Sequence, residues 1–113
     1  MSRKHSMTKA CEISAATRAK VAERDGYCCI ICGSSNAEPN SHYIKKGQGG
    51  LGIAENVGTM CIHCHHEYDN GKNPEPIKRK FRTYLQACYP DWDESKLYYN
   101  KWGWCDDIQS NNG

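Results

Sequence analysis

The sequence predicts a small α+β domain in which metal-bound cysteines supplement a modest core. Three observations predict it. A chain of 113 residues has room for one compact domain, and a core of that size gains from added staples. Eight cysteines are many for so short a chain, and four of them stand as two CxxC pairs, Cys29/Cys32 and Cys61/Cys64. Helical patterns flank one short strand signal and a glycine-rich stretch between the pairs, with no internal repeat.

The first residues, MSRKHSMTKACE, contain no apolar run like a secretory h-region, and no stretch approaches the roughly 18 apolar residues of a membrane span. The expectation is therefore a reducing cytoplasm with no membrane association, where cysteines paired at this spacing read as zinc ligands rather than disulfides. A net charge of +2 rules out coating nucleic acid by bulk charge alone. The charge is nevertheless unevenly placed. Arg3, Lys4, Lys9, Arg18, Lys20 and Arg24 make the front basic, and Lys72, Lys78, Arg79, Lys80 and Arg82 form a second block, either of which also reads as a solvated helix face.

Taken in order, residues 1–13 read as a basic tail, 14–71 as the principal module and 72–113 as a helical extension. Ser14 can cap a helix through AATRAKVAERD that Gly26 ends. The helix leads into YCCIICG. GSSNAEPN then reads as turns, SHYIK as a short strand and GQGGLG as a flexible connection. Ile62 to Asn70 reads as a short helix with a left-handed exit at Gly71. After the NPEP break, Ile77, Phe81, Tyr84, Leu85 and Cys88 fall at helical spacing, so residues 77–89 predict an amphipathic helix that Pro90 stops. Asp91 can cap a last short helix, and Leu97, Tyr98, Trp102 and Trp104 read as core or docking surface before a polar end.

Each CxxC can turn both sulfurs toward one ion, so Cys29, Cys32, Cys61 and Cys64 predict a tetrahedral four-thiolate zinc site. Protein fills every position, which makes this zinc structural. Cys28 is the candidate substitute ligand; Cys11, Cys88 and Cys105 need no role. A redox dithiol is the rival reading, but that motif normally occurs singly within an alternating strand and helix pattern absent here.

His42, Asn56 and His65 lie between and just after the knuckles. At Cys29-Ile30-Ile31-Cys32, Ser41-His42-Tyr43-Ile44, Ala54-Glu55-Asn56-Val57 and Cys61-Ile62-His63-Cys64-His65 the chain resembles the HNH endonucleases, over about residues 18–71. The resemblance implies a ββα-metal nuclease core, a DNA substrate and products with 5′-phosphate and 3′-hydroxyl ends. It also implies phage packaging or mobile-element proteins as partners.

The residues support compatible chemistry. His65 and Asp69, four apart on a helix, project from one face and can share a catalytic divalent ion, with Mg2+, Mn2+ and Ni2+ as the candidates. Open positions remain for phosphate and water. His42 is the expected general base, since neutral imidazole can take a proton from water near pH 7. Asn56 offers both a donor and an acceptor and is expected to tie the glycine-rich loop to the strand that carries His42. Many HNH relatives place Asp, Glu or His before the base, where this chain has Ser41, a weaker ligand. Relatives also often end in HxxxH, where this chain has Asp69.

Lys45, Lys46 and Lys72 flank the expected site and are candidates to contact phosphates, which fix register without reading bases. His66 falls about 100° around the helix from His65 and reads as a surface or phosphate-facing residue, like His63 in its knuckle and His5 in the tail. The alternative to a nuclease is a non-catalytic zinc module that binds nucleic acid or protein. A bare staple, however, needs none of His42, Asn56, His65 and Asp69.

Overall fold

The computed structural model describes residues 6–99, with side chains from Lys9 onward. His5, Trp102, Trp104, Cys105 and the polar C-terminal end lie outside the described residues. The elements run α1 (Ser6–Cys11), α2 (Ala15–Arg24), β1 (Ala37–His42), β2 (Val57–Cys61), α3 (Ile62–Asn70) and α4 (Glu75–Cys88), with 3-10 turns at Lys46–Gln48, Ala54–Asn56 and Glu94–Lys96. This is a small α+β fold. None of its helices is long and apolar enough to cross a membrane, among the described residues.

Ser14 caps α2 as expected, its hydroxyl accepting from the Thr17 amide at 3.1 Å. Gly26 (φ 68°) and Tyr27 (φ 60°) then reverse the chain in the left-handed region, with Tyr27 bearing the steric cost that glycine avoids. β1 and β2 form a two-stranded antiparallel sheet in which Ala37 faces Cys61 and His42 faces Val57. The register slips between Glu38 and Ser41, where Pro39 lacks an amide to donate, as prolines in sheets usually require.

The strand therefore occupies residues 37–42 rather than SHYIK, and AEPN is not a turn. Pairing with β2 overrides the poor strand propensity of that segment. Two further expectations are corrected. Gly71 leaves α3 in an extended conformation (φ −72°), and glycine is needed there because a Cβ would stand 2.4 Å from the Glu67 carbonyl. Asp93, rather than Asp91, caps the last turn by accepting from the Ser95 amide at 3.0 Å.

Every residue of β2 is buried, Val57 packing with Val21 of α2 while Phe81 of α4 covers Gly58. Phe81 lies so close to Gly58 that a Cβ there would meet its ring at 2.7 Å. Around Phe81 gather Tyr43, Met60, Tyr68, Leu85 and Leu97, with Tyr43 and Tyr68 edge-on to the Phe81 ring at 5.4 and 5.8 Å. Truncating such an aromatic anchor costs about 3–5 kcal/mol.

Arg24 departs from the solvated-face reading. Its guanidinium turns inward and bonds Asp25 in a fork at 2.6 and 3.0 Å while donating to the Ala54 and Val57 carbonyls at 2.8 and 2.7 Å. Asp25, with a fully buried side chain, also accepts from the Thr59 amide at 2.9 Å and from the Tyr84 hydroxyl. The pair thereby clips α2, β2 and α4 together.

Candidate metal centre and adjacent histidine cleft

The first knuckle lies in the loop after α2. The Ile31 and Cys32 amides both approach Cys29 Sγ at 3.4 Å, and Gly33 (φ 83°) closes the turn. The second straddles the junction of β2 and α3. Cys61 ends the strand and caps the helix, its sulfur accepting from the Cys64 amide at 3.4 Å where Ser or Asp would usually stand.

The antiparallel register carries this junction next to the first knuckle, and the four Sγ atoms lie within 4.8 Å of one another, with Cys32 and Cys61 at 3.6 Å. Four sulfurs around one zinc at about 2.3 Å stand about 3.8 Å apart, so the cluster fits that ion after slight contraction. Burial and the neighbouring thiols push the Cys64 thiol up. Burial acts on Cys29 in the same sense, yet amide hydrogen bonds bring it down to about 6. A cation among them would let all four thiols ionise together, and these four cysteines could hold a metal ion such as zinc. Cys28 stands outside the cluster, half-buried.

A second centre opens beside the sheet. Asn40 and His42 on β1, Lys45 and Lys46 after it, and His65 and Asp69 on α3 line a cleft of about 370 Å³. His42 Nε2 lies 2.8 Å from the Cys11 carbonyl oxygen. A carbonyl only accepts, so Nε2 carries the hydrogen and Nδ1 keeps the basic lone pair. Burial, opposed by the Cys11 carbonyl and aided by Lys46, holds His42 below the ordinary histidine range, which keeps it neutral at pH 7.

His65 Nε2 stands 2.7 Å from Asp69 Oδ2, the pairing expected one helical turn apart. Lys45 Nζ reaches Asp69 Oδ1 at 3.1 Å and sits 4.1 Å from the centre of the Tyr68 ring. Ser41 is buried, with Oγ 2.7 Å from His65 Nδ1. It therefore orients the histidine from behind. A hydroxyl can donate or accept, so it supports either tautomer of His65.

Asn56, completely buried, bonds the loop at three points: Ile44 N–H donates to Oδ1 at 2.8 Å, and Nδ2 donates to the Ile44 and Leu51 carbonyls at 3.1 and 2.8 Å. Two of the intervening glycines, Gly50 and Gly52, serve close approach rather than flexibility. A Cβ on Gly50 would fall 1.6 Å from the Ile44 oxygen, and one on Gly52 would fall 2.1 Å from the Glu12 oxygen.

Of the residues expected from sequence, His42, Lys45, Lys46, His65 and Asp69 share the cleft, whereas Lys72 is exposed and outside its lining. Sequence reasoning missed three contributors. Asn40 was legible, since alternation along a strand puts it on the face of His42. Ser41 was read only as a weak ligand, and its hydroxyl contact with His65 was not foreseen. The Cys11 carbonyl carried no sequence signal, because a backbone oxygen has none.

No protein-family model matches the chain, and no solved structure matches it. Among curated proteins it is similar to Anaredoxin of Nostoc sp., with 32% identity over 61 residues, covering 53% of this chain and 80% of that protein. On that identity and coverage, the chain belongs to the same family as Anaredoxin.

Proposed function

We propose that the chain is a metal-dependent endonuclease of the HNH type that hydrolyses DNA phosphodiester bonds, with β1, β2 and α3 as its ββα-metal core. The observation that carries the reading is the meeting of His42, His65 and Asp69 in one cleft, with a free basic nitrogen on His42. Two donors on one divalent ion at about 2.1 Å and at right angles lie about 3 Å apart. His65 Nε2 and Asp69 Oδ2, at 2.7 Å, fit that requirement.

When bound there, Mg2+, Mn2+ or Ni2+ supplies Lewis-acid stabilisation of charge on the phosphoryl and departing 3′ oxygens. His42 Nδ1 takes a proton from water, the water oxygen bonds phosphorus in line, and the bond from phosphorus to the 3′ oxygen breaks. The 3′ oxygen then takes a proton from solvent, leaving 5′-phosphate and 3′-hydroxyl ends. Asn56 anchors the loop following His42, Ser41 holds the His65 ring, and Lys45 and Lys46 hold the flanking phosphates. The four-cysteine zinc fixes the start of α3 and hence the placing of His65.

The test is incubation of supercoiled plasmid with magnesium, manganese or nickel, beside a chelator control and the His42→Ala variant. Metal-dependent nicking that His42→Ala abolishes while keeping its zinc supports the reading; a wild type that cuts with no metal sinks it. A second reading, thiol redox chemistry at the sulfur cluster, is favoured by the acidity of Cys29, brought down to about 6. It requires fast thiol titration of the native protein, whereas zinc-bound sulfur reacts slowly.

A further inference from the structure

Two other concavities adjoin the histidine cleft, and they differ in chemistry. On one side Arg18 and Lys46 share a hollow with His42 and Glu12, two cationic side chains against one carboxylate. On the other, between β1 and α3, lies a pocket of about 320 Å³ with Met60 and Ile62 as its apolar walls and Glu38, Asn40, His65, His66 and Asn70 as its polar ones, Glu38 being its one carboxylate. Its size falls within the range of sites for small molecules, about 300–1,000 Å³. Asn40 lines all three hollows, and His65 lines both the cleft and the apolar pocket, so the three form one continuous track.

Ile62 is the anomaly on that track. At 83% exposure it is the most exposed of the large hydrophobic side chains described, on the first residue of α3 beside the groups that face the cleft. The Asn40 side-chain amide, at the junction, has no hydrogen-bond partner among the described residues, although Asn40 is exposed enough to bond water.

We propose that the Met60 and Ile62 pocket seats one nucleoside of the DNA strand next to the phosphate held in the histidine cleft, with the Asn40 amide bonding at the junction. The proposal rests on the nuclease reading for the identity of the strand. The argument is one of chemical order along the track. A nucleic-acid strand alternates anionic phosphate with a flat apolar base, and here a cationic hollow, a cleft with lysines and an apolar pocket with amide donors follow one another. Branched aliphatic side chains of this kind pack against base faces or wedge between them. Asn70 and His66 offer donors and acceptors for a base edge.

The experiment measures binding of a fluorescein-labelled 14-nucleotide DNA strand to the full chain by anisotropy, without added magnesium or manganese. A fully abasic strand of the same length is the second probe. Ile62→Ala is expected to weaken binding of the normal strand about fivefold, with Ile62→Glu weaker still, and neither should change zinc content or melting temperature because Ile62 packs little. On the abasic strand Ile62→Ala should have no effect, which separates a nucleoside seat from a general contact to the backbone. Affinities within twofold of wild type for both variants overturn the seat, and plasmid cutting that persists in them leaves the nuclease reading intact. Conversely, a wild type that binds and depends on Ile62 but cuts nothing supports the seat and sinks the nuclease. A wild type that binds neither strand overturns the seat, and plasmid cutting then decides the nuclease reading by itself.

Discussion

The sulfur cluster and the histidine cleft are neighbours joined through α3, yet they are built in opposite ways. In the cluster four side chains converge on each other, three of them buried, and every donor points at one spot. In the cleft, His42 is held by a backbone carbonyl, His65 lies between a buried hydroxyl and Asp69, and Asp69 lies between His65 and Lys45, so among the described residues only His42 keeps a ring nitrogen without a partner there. The first arrangement, with an ion bound, would leave no coordination position open. The second leaves a basic nitrogen on His42 unspent, which is what general-base chemistry would need.

The contrast can be broken most directly at the sulfurs. Cys61→Ala removes a candidate ligand and the cap of α3 together, so loss of zinc should cost the cooperative transition altogether, since zinc binding to such sites is comparable to the roughly 5–15 kcal/mol stability of a domain. Circular dichroism beside metal analysis checks it. A variant that melts like wild type without zinc would show that the core alone suffices.

At the cleft the expected damage is to activity and not to the fold. His42→Ala should lower plasmid cutting by about 10²–10⁴-fold. Zinc content should not change. Arg24→Ala, at a residue that lines neither the sulfur cluster nor the cleft, sharpens the comparison from the other side. It leaves Asp25 charged, buried and unpaired, and should cost about 3–5 kcal/mol by urea unfolding while sparing zinc stoichiometry.

Smaller effects test the supports. Ser41→Ala should weaken manganese dependence of cutting about 10–100-fold by freeing the His65 ring, and an unchanged metal titration would remove Ser41 from the site. The pH profile is the mildest probe. His42 binds its proton less readily in the fold than in the unfolded chain, so cutting should rise with pH through a midpoint below the ordinary histidine value of 6.5. The same shift gives stability that is complete above the unfolded value and lost as pH falls through the lower folded one. A midpoint that His42→Ala leaves in place would assign the titration elsewhere.

How far each centre could be foreseen follows from the distance over which its parts act. The knuckles, the Ser14 cap, the span of α3 and the pairing of His65 with Asp69 all depend on residues within one or two turns of each other, and the sequence sufficed for them. The strand was misplaced because AEPN pairs only when β2 is beside it, and the glycines were read as flexible because their crowding comes from Ile44 and Glu12 in the folded chain.

By itself, then, the sequence determined which atoms could bind a metal and which helix would carry His65 and Asp69, since local spacing sets both. Only the tertiary structure decided that Arg24 turns inward, that the Cys11 carbonyl selects the tautomer of His42, and that Asn40 stands where three hollows meet. Those outcomes depend on contacts between segments far apart in the chain, and such contacts are settled by packing, which no local pattern of residue types encodes.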